Sequence, residues 1–494
     1  MDLLFQDTIC AISTAPGVGG IAVVRVSGKD ALTICAPFVK CDIKSMAANT
    51  CRFTRFIRPN GEVLDEVMLT LFKAPHSFTG EDTLEIACHG SLYIQQCILQ
   101  DLVAGGARLA RAGEFTQRAF INGKMDLSQA EAVADLIASE SQAAHRIALK
   151  QMRGGFSDEL ARLRNKLLDF TSLIELELDF ADHEELEFAD RSQLQDLSVE
   201  IEHKIARLCD SFSMGNAIKN GIPVAIVGKT NAGKSTLLNA LVGEEKAIVS
   251  DIHGTTRDVI EDCISLGGIR FRFADTAGLR ETQDEIEALG IERSYRSIDK
   301  AQIVLWVIDA ASLTQPDSDA STGPNSDTIT SICPNSDSDA STGPKRDATQ
   351  NLFDENELQI ADDKKLIIVF NKIDQAQAAG IDLSRLSSSH AYCHISAKND
   401  LGIDHLRQML IEASQIDTHN FEDITISNAR HYENLSRALE AIRRVQIGLS
   451  TGLPGDLLSM DLRECIDQLG AITGGALATD EILGNIFSKF CIGK

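Results

Sequence analysis

Over the first 125 residues, short apolar runs rich in β-branched side chains alternate with polar positions. They include Ile-Ala-Val-Val-Arg-Val at 21–26 and Val-Met-Leu-Thr-Leu-Phe at 67–72. Such runs predict strands, and the apolar spacing over 92–102 predicts a helix, together a small α+β domain over 1–124. Beyond 125 the period changes. Leu160, Leu163, Leu167, Phe170 and Ile174 recur at intervals of three and four, the spacing of a helix-packing seam, and helices are expected to about residue 220. Gly221 and Pro223 then open an apolar run at 224–227. Further runs at 303–308 and 366–370 read with it as buried parallel strands. Helical spacing returns after 417, with Leu435, Leu439, Ile442 and Leu449 on one face and Leu458, Leu462, Ile466 and Leu469 on another. The expected fold is multidomain α/β. An α/β unit at 221–417 is inserted between two helical halves, 125–220 and 418–494, which must meet to bury their apolar stripes.

Two segments interrupt this pattern. Residues 312–345 are rich in Ser, Asp, Pro, Thr and Gly, and Ser-Asp-Ala-Ser-Thr-Gly-Pro occurs twice, at 318–324 and 338–344. Such a stretch cannot bury a core and two copies are too few for a solenoid, so a disordered insertion is expected. Gly17-Val-Gly-Gly20 looks like part of a dinucleotide fingerprint. It precedes a strand where the fingerprint follows one, so it reads as a turn and NAD is rejected.

Composition narrows the class. With 44% apolar and 24% charged residues the chain has the balance of a globular protein, and no apolar run approaches the roughly 18 residues that would span a bilayer. Residues 1–7 lack a basic stretch followed by an apolar one, so the cytoplasm is the expected compartment. Twelve cysteines without a CxxC pair suggest reduced thiols, with neither a disulfide frame nor a structural zinc. The formal charge of −25 argues against non-specific nucleic-acid binding; any RNA contact is expected from local basic clusters such as 108–118 or 430–444.

Specific chemistry begins at Gly228-Lys-Thr-Asn-Ala-Gly-Lys-Ser235, which fits GxxxxGK[ST] and lies between a predicted strand and a predicted helix, 236–242. Its backbone N–H groups, from Asn231 through Ala232 and Gly233 to Thr236, can converge on phosphate oxygens. Lys234 reaches the outer phosphates and the Ser235 hydroxyl can hold Mg²⁺. Thr255 and Thr256, in Gly-Thr-Thr-Arg-Asp at 254–258, lie where a threonine hydroxyl can complete the Mg²⁺ shell. Asp275, Thr276, Ala277 and Gly278 follow the predicted strand 269–273, with the carboxylate near the metal and the Gly278 N–H near the terminal phosphate. Asn371, Lys372 and Asp374 close the strand 366–370. A carboxylate at Asp374 can accept both N1–H and the exocyclic amine of guanine, which selects GTP over ATP. Ser396, Ala397 and Lys398 support the purine ring. Leu279 stands where Ras-like enzymes carry the glutamine that orients attacking water, so another group has to do that work.

Asn231 within the cradle, Gly-Thr-Thr-Arg-Asp after it, Leu-Arg-Glu at 279–281, the terminal Phe-Cys-Ile-Gly-Lys and the N-terminal segments 16–25, 79–82, 113–116 and 118–120 together resemble the tRNA-modification GTPase family MnmE, also called TrmE. The resemblance covers nearly the whole chain. It implies an N-terminal folate-binding domain that dimerises, a helical domain split by the G domain, and an FAD-dependent partner, MnmG, joined to the homodimer as a heterotetramer. The implied activity is GTP hydrolysis coupled to placing an aminomethyl or carboxymethylaminomethyl group at C5 of the tRNA wobble uridine. A 5-formyl- or 5,10-methylene-tetrahydrofolate is the implied carbon donor. The resemblance further implies that K⁺ is held by Asn231, Ser250, Ile252 and Thr255, and does the work of an arginine finger. By position it makes Glu287 the water-orienting residue, Arg25, Glu85, Lys124 and Lys494 the folate contacts, and Cys491 the reactive thiol. A GTPase acting only as an assembly switch would need neither a folate pocket nor that thiol.

Overall fold

The computed structural model describes residues 7–180, 190–243, 262–273, 298–313, 360–361, 364–382, 388–416 and 424–475, with Leu483, Ile486, Phe487, Phe490 and Gly493. The chain divides into two compact units, Met1–Lys219 with Phe421–Lys494, and Asn220–Asn420.

The first unit opens with strands β1 (Ile9–Ile12), β2 (Gly19–Ser27), β3 (Thr50–Ile57), β4 (Val63–Phe72), β5 (Thr83–Gly90) and β6 (Arg108–Leu109), and with helices α1 (Ala31–Cys35), α2 (Leu92–Ala104) and α3 (Glu114–Ile121). The sheet order is β3-β4-β5-β2-β1-β6, antiparallel except where β6 joins β1. Alternation explains its single buried face: Ala22, Val24 and Val26, then Val67, Leu69 and Leu71, then Leu84, Ile86 and Cys88 point into one core, which α2 closes with Ile98 and Leu102. The other face carries Arg25 and Glu85. The glycines at 19–20 already belong to β2, so the expected turn is confined to the residues before Gly19.

Six further helices belong to this unit: α4 (Leu127–Ala138), α5 (Gln142–Met152), α6 (Gly155–Phe180), α7 (Arg191–Asn220) and, after the second unit, two more named below. Asp126 starts α4 through a capping box with Gln129. The seam residues Leu160, Leu163, Leu167 and Ile174 of α6 are buried, and Phe170 is partly buried beside them.

The second unit contains β7 (Ile222–Val227), α8 (Lys234–Val242), β8 (Asp262–Leu266), β9 (Ile269–Phe273), β10 (Ile303–Asp309), β11 (Lys365–Asn371), α9 (Ile373–Ala378), β12 (Ala391–His394) and α10 (Ile403–Ala413). Its sheet runs β12-β11-β10-β7-β9-β8, parallel apart from β8, which pairs antiparallel with β9. Positions 303–307 of β10 and 367–371 of β11 are buried without alternation, because central parallel strands are covered on both faces.

The first unit is then completed by α11 (Ala429–Thr451) and α12 (Gly455–Thr473). Leu435, Ile442 and Val445 of α11 and Leu462, Ile466 and Leu469 of α12 share one core with the seam of α6 and with Leu194, Ile201 and Ile205 of α7. Each of these leucines and isoleucines contributes roughly 2 kcal/mol on burial, so neither helical segment reaches its stability without the other. Leu439 and Leu449 sit at the margin of that core. The α/β unit is an insertion into this helical assembly.

Most arginines of the two basic clusters are engaged in ion pairs within the chain. Arg108 pairs with Asp7 and Glu114, and Arg118, only 1% exposed, with Asp7, Glu81 and Glu114. Arg430 pairs with Glu131, Arg437 with Glu433, Arg443 with Glu202, and Arg444 with Asp461 and Glu464. Some of these carboxylates are local, as Glu114 and Glu433 are, and others, as Glu81, Glu131 and Glu202 are, come from distant parts of the chain. No helix among the described residues is long and apolar enough to cross a membrane.

Candidate functional site

The carboxyl ends of β7, β10 and β11 gather the phosphate and base segments. After Val227 the chain turns at Gly228, where φ is 144° and a Cβ would stand 2.2 Å from the Val307 carbonyl oxygen; only glycine fits. Asn231 takes a left-handed conformation, φ 64°, and Gly233 another, φ 93°, at the N-terminus of α8. A side chain at 233 would meet the Asn371 amide nitrogen at 2.2 Å. The loop therefore folds tightly back on the sheet, and Lys234, Ser235 and Thr236 follow in the first turn of α8, the positive end of the helix dipole, which favours an anion. The Lys234 ammonium donates to the carbonyls of Gly228 at 2.7 Å and Lys229 at 2.9 Å, and burial lowers its pKa. A half-desolvated cation held at the loop mouth is suited to phosphate oxygens.

Asn371, 2% exposed, ends β11 and joins two loops. Its Nδ2 donates to the Ala232 carbonyl at 2.9 Å and its Oδ1 accepts from the Ala397 N–H at 3.0 Å. Lys372 is left-handed at φ 63° and begins α9, placing Asp374 in that helix's first turn. Ile373 N–H donates to the Ile395 carbonyl, and Ser396 and Leu401 exchange backbone hydrogen bonds of 3.0 and 3.2 Å. Residues 231–236, 371–374 and 396–398 are thus brought to one edge of the sheet, with Ser396 and Ala397 buried and Lys398 exposed. One participant is absent from the sequence reading: Asp309, at the end of β10, lies with its Oδ2 2.6 Å from Lys372 Nζ. The signal for it was its place, since an acid closing a central parallel strand stands where ligands bind.

In the first unit, Arg25 Nε and Nη2 donate to Glu85 Oε1 at 3.0 and 2.8 Å, and the guanidinium lies 5.5 Å from the rings of both Phe78 and Phe115. Lys124 Nζ donates to the Pro75 carbonyl at 2.8 Å, on the loop that carries Phe78. The Ser13 hydroxyl donates to the Gly493 carbonyl at 3.0 Å, which places Gly493 next to the end of β1. Ser250, Ile252, Thr255, Thr256, Asp275, Thr276, Ala277, Gly278, Glu287, Cys491 and Lys494 lie outside the described residues, as does the insertion apart from Ser312 and Leu313.

Residues 8–124 match the family model described as the GTP-binding protein TrmE N-terminus, and residues 127–491 match the MnmE helical domain. The chain belongs to the MnmE family. A Parabacteroides distasonis protein described as tRNA modification GTPase MnmE is 55% identical, covering 99% of this chain and 100% of that one. Proteins of the same description from Bacteroides fragilis and Flavobacterium johnsoniae are 52% and 46% identical over 99% and 100% of this chain, in each case covering 100% of the relative. As an MnmE-family member with the cradle, Lys234 and the Asn371 staple in place, the chain is a P-loop GTP hydrolase.

Proposed function

We propose that this chain is a K⁺-stimulated GTPase that acts on tRNA in the cytoplasm. As a homodimer, with an FAD-dependent MnmG in a heterotetramer, it installs an aminomethyl or carboxymethylaminomethyl group at C5 of the wobble uridine. In this reading the 228–236 segment holds the triphosphate, and Asp374 accepts the two donors of guanine beside Ser396, Ala397 and Lys398. Ser235 and Thr256 hold Mg²⁺, to which Asp275 adds a nearby carboxylate and Thr276, Ala277 and Gly278 a loop facing the terminal phosphate. Ser235 fits a hard cation because it brings a hydroxyl oxygen to the first turn of α8, next in the chain to Lys234. Asn231 with Ser250, Ile252 and Thr255 holds K⁺, and Glu287 orients water.

The observation that carries the tRNA reading over a plain switch is the Arg25–Glu85 pair. A part-buried cation and carboxylate, with the cation lying near two aromatic rings, suits a pterin, which needs paired hydrogen bonds at its edge and apolar contact on its faces. Arg25, Glu85, Lys124 and Lys494 would hold a 5-formyl- or 5,10-methylene-tetrahydrofolate, which supplies the one-carbon unit, and Cys491 would lie near it. Mass analysis of wobble nucleosides tests this reading. Cells lacking the protein should lose the C5 group, wild-type chain should restore it, and Arg25→Ala and Lys234→Ala should each fail to do so. Normal nucleosides in the deleted cells would refute the proposal.

A further inference from the structure

Lys372 is held in the left-handed conformation, φ 63°, which a side-chain-bearing residue adopts only at a cost, and α9, which carries Asp374, starts from it. The ammonium at the end of that side chain is 2.6 Å from Asp309 Oδ2, and both side chains are about three-quarters covered. Asp309 is itself fixed, because its Oδ1 accepts from the Ala311 N–H at 3.0 Å. Asp309 and Asn371 are register partners on β10 and β11, so the pair spans neighbouring strands at the carboxyl edge of the sheet. Asn371 fixes one side of Lys372 by tying the 232 and 397 backbones together. Asp309 fixes the other by gripping the side chain.

We infer that Asp309 is a positioning residue for guanine recognition: its carboxylate anchors Lys372 and so holds the left-handed turn from which Asp374 projects. This inference rests on the reading that Asp374 binds guanine. A segment that must adopt one strained turn binds more weakly when the restraint is removed, because ligand binding then has to supply the ordering.

The test uses the purified full-length chain with a fluorescent guanosine diphosphate as probe. Asp309→Asn keeps size and the acceptor for Ala311 but removes the charge that Lys372 meets. Affinity should fall by about ten-fold, the lower end for a charge-assisted hydrogen bond because the pair is part-exposed. KM for GTP should rise by a similar factor, with kcat at saturation within about two-fold. Asp309→Glu, which restores the charge, should recover binding to within about three-fold. In a Lys372→Met background Asp309→Asn should cost nothing further, since Asp309 acts through that lysine. Unchanged affinity in Asp309→Asn, or losses that add in the double variant, would overturn the proposal. Asp374→Asn separates the two levels. If guanine is still preferred over xanthine, the guanine reading fails and this inference with it. If xanthine nucleotides gain while Asp309→Asn binds normally, the role of Asp309 alone fails.

Discussion

Glu131 offers a measurable link between the two helical segments. It stands on α4, while its partners come about 300 residues later: Arg430 Nε and Nη2 donate at 3.0 and 2.9 Å and His431 Nε2 lies at 2.6 Å. Arg430 also donates to the carbonyls of Ala471 and Ile472, so one carboxylate ties α4, α11 and the end of α12. Burial pushes the carboxyl pKa up, but hydrogen bonding and charge from His431 and Arg430 outweigh it and hold the group at about 2, below its ordinary 4.5. A group that titrates near 2 when folded and 4.5 when unfolded contributes about 3 kcal/mol at neutral pH. That contribution is complete above pH 4.5 and is lost as pH falls toward 2. Glu131→Gln keeps the shape and removes the charge. At pH 7, protected amides of α4 and α11 should exchange about a hundred-fold faster than in the wild type, after correction for intrinsic rates. At pH 3 about half the contribution has been titrated away, and the ratio should shrink to about ten-fold. Hydrogen exchange read by mass spectrometry on the two helices measures both ratios. An equal ratio at the two pH values would show that charge is not what Glu131 contributes.

Asn371→Ala leaves the Ala232 carbonyl and the Ala397 N–H without their partner in a buried place, which costs about 2–4 kcal/mol. Calorimetry should show guanosine diphosphate binding weakened by at least about thirty-fold, and a change under three-fold would remove the staple argument. Gly228→Ala puts a Cβ 2.2 Å from the Val307 carbonyl, so β10 has to move; nucleotide binding should fall by at least about ten-fold, and an unaffected Kd would show that the turn is more pliable than its geometry implies. Exchanging K⁺ for Na⁺ should slow GTP turnover by at least about ten-fold if Asn231 helps hold a catalytic cation, since a misplaced cation stabilises less transition-state charge. Equal rates in the two salts would refute that role.

What could be read from the sequence divides by how far apart the interacting groups lie. The strands of the second unit announce themselves because 303–307 and 367–370 are unbroken apolar runs, and the seam of α6 because its leucines repeat with the helix period; both signals sit within one element. The cradle is legible for the same reason. Its chemistry comes from backbone N–H groups and a lysine within eight residues, so spacing alone carries it. Even the insertion of the α/β unit follows from local information, since two half-buried helical segments on either side of it have no other way to be covered.

Paired side chains behave differently. Residues 430–444 read as a basic patch because the sequence shows four arginines together, whereas Glu131 and Glu202, which neutralise two of them, are more than 200 residues away. Asp309 closes an apolar run in the sequence, but its partner shows only when β10 and β11 are set in register, where it stands beside the segment that carries Lys372. The same limit bears on the net charge of −25. That total counts carboxylates already committed to internal arginines alongside those that are not, so it measures repulsion of a distant polyanion and not the character of any one surface. A tRNA contact therefore has to be sought among cations left after the internal pairs are subtracted, and that subtraction needs the fold.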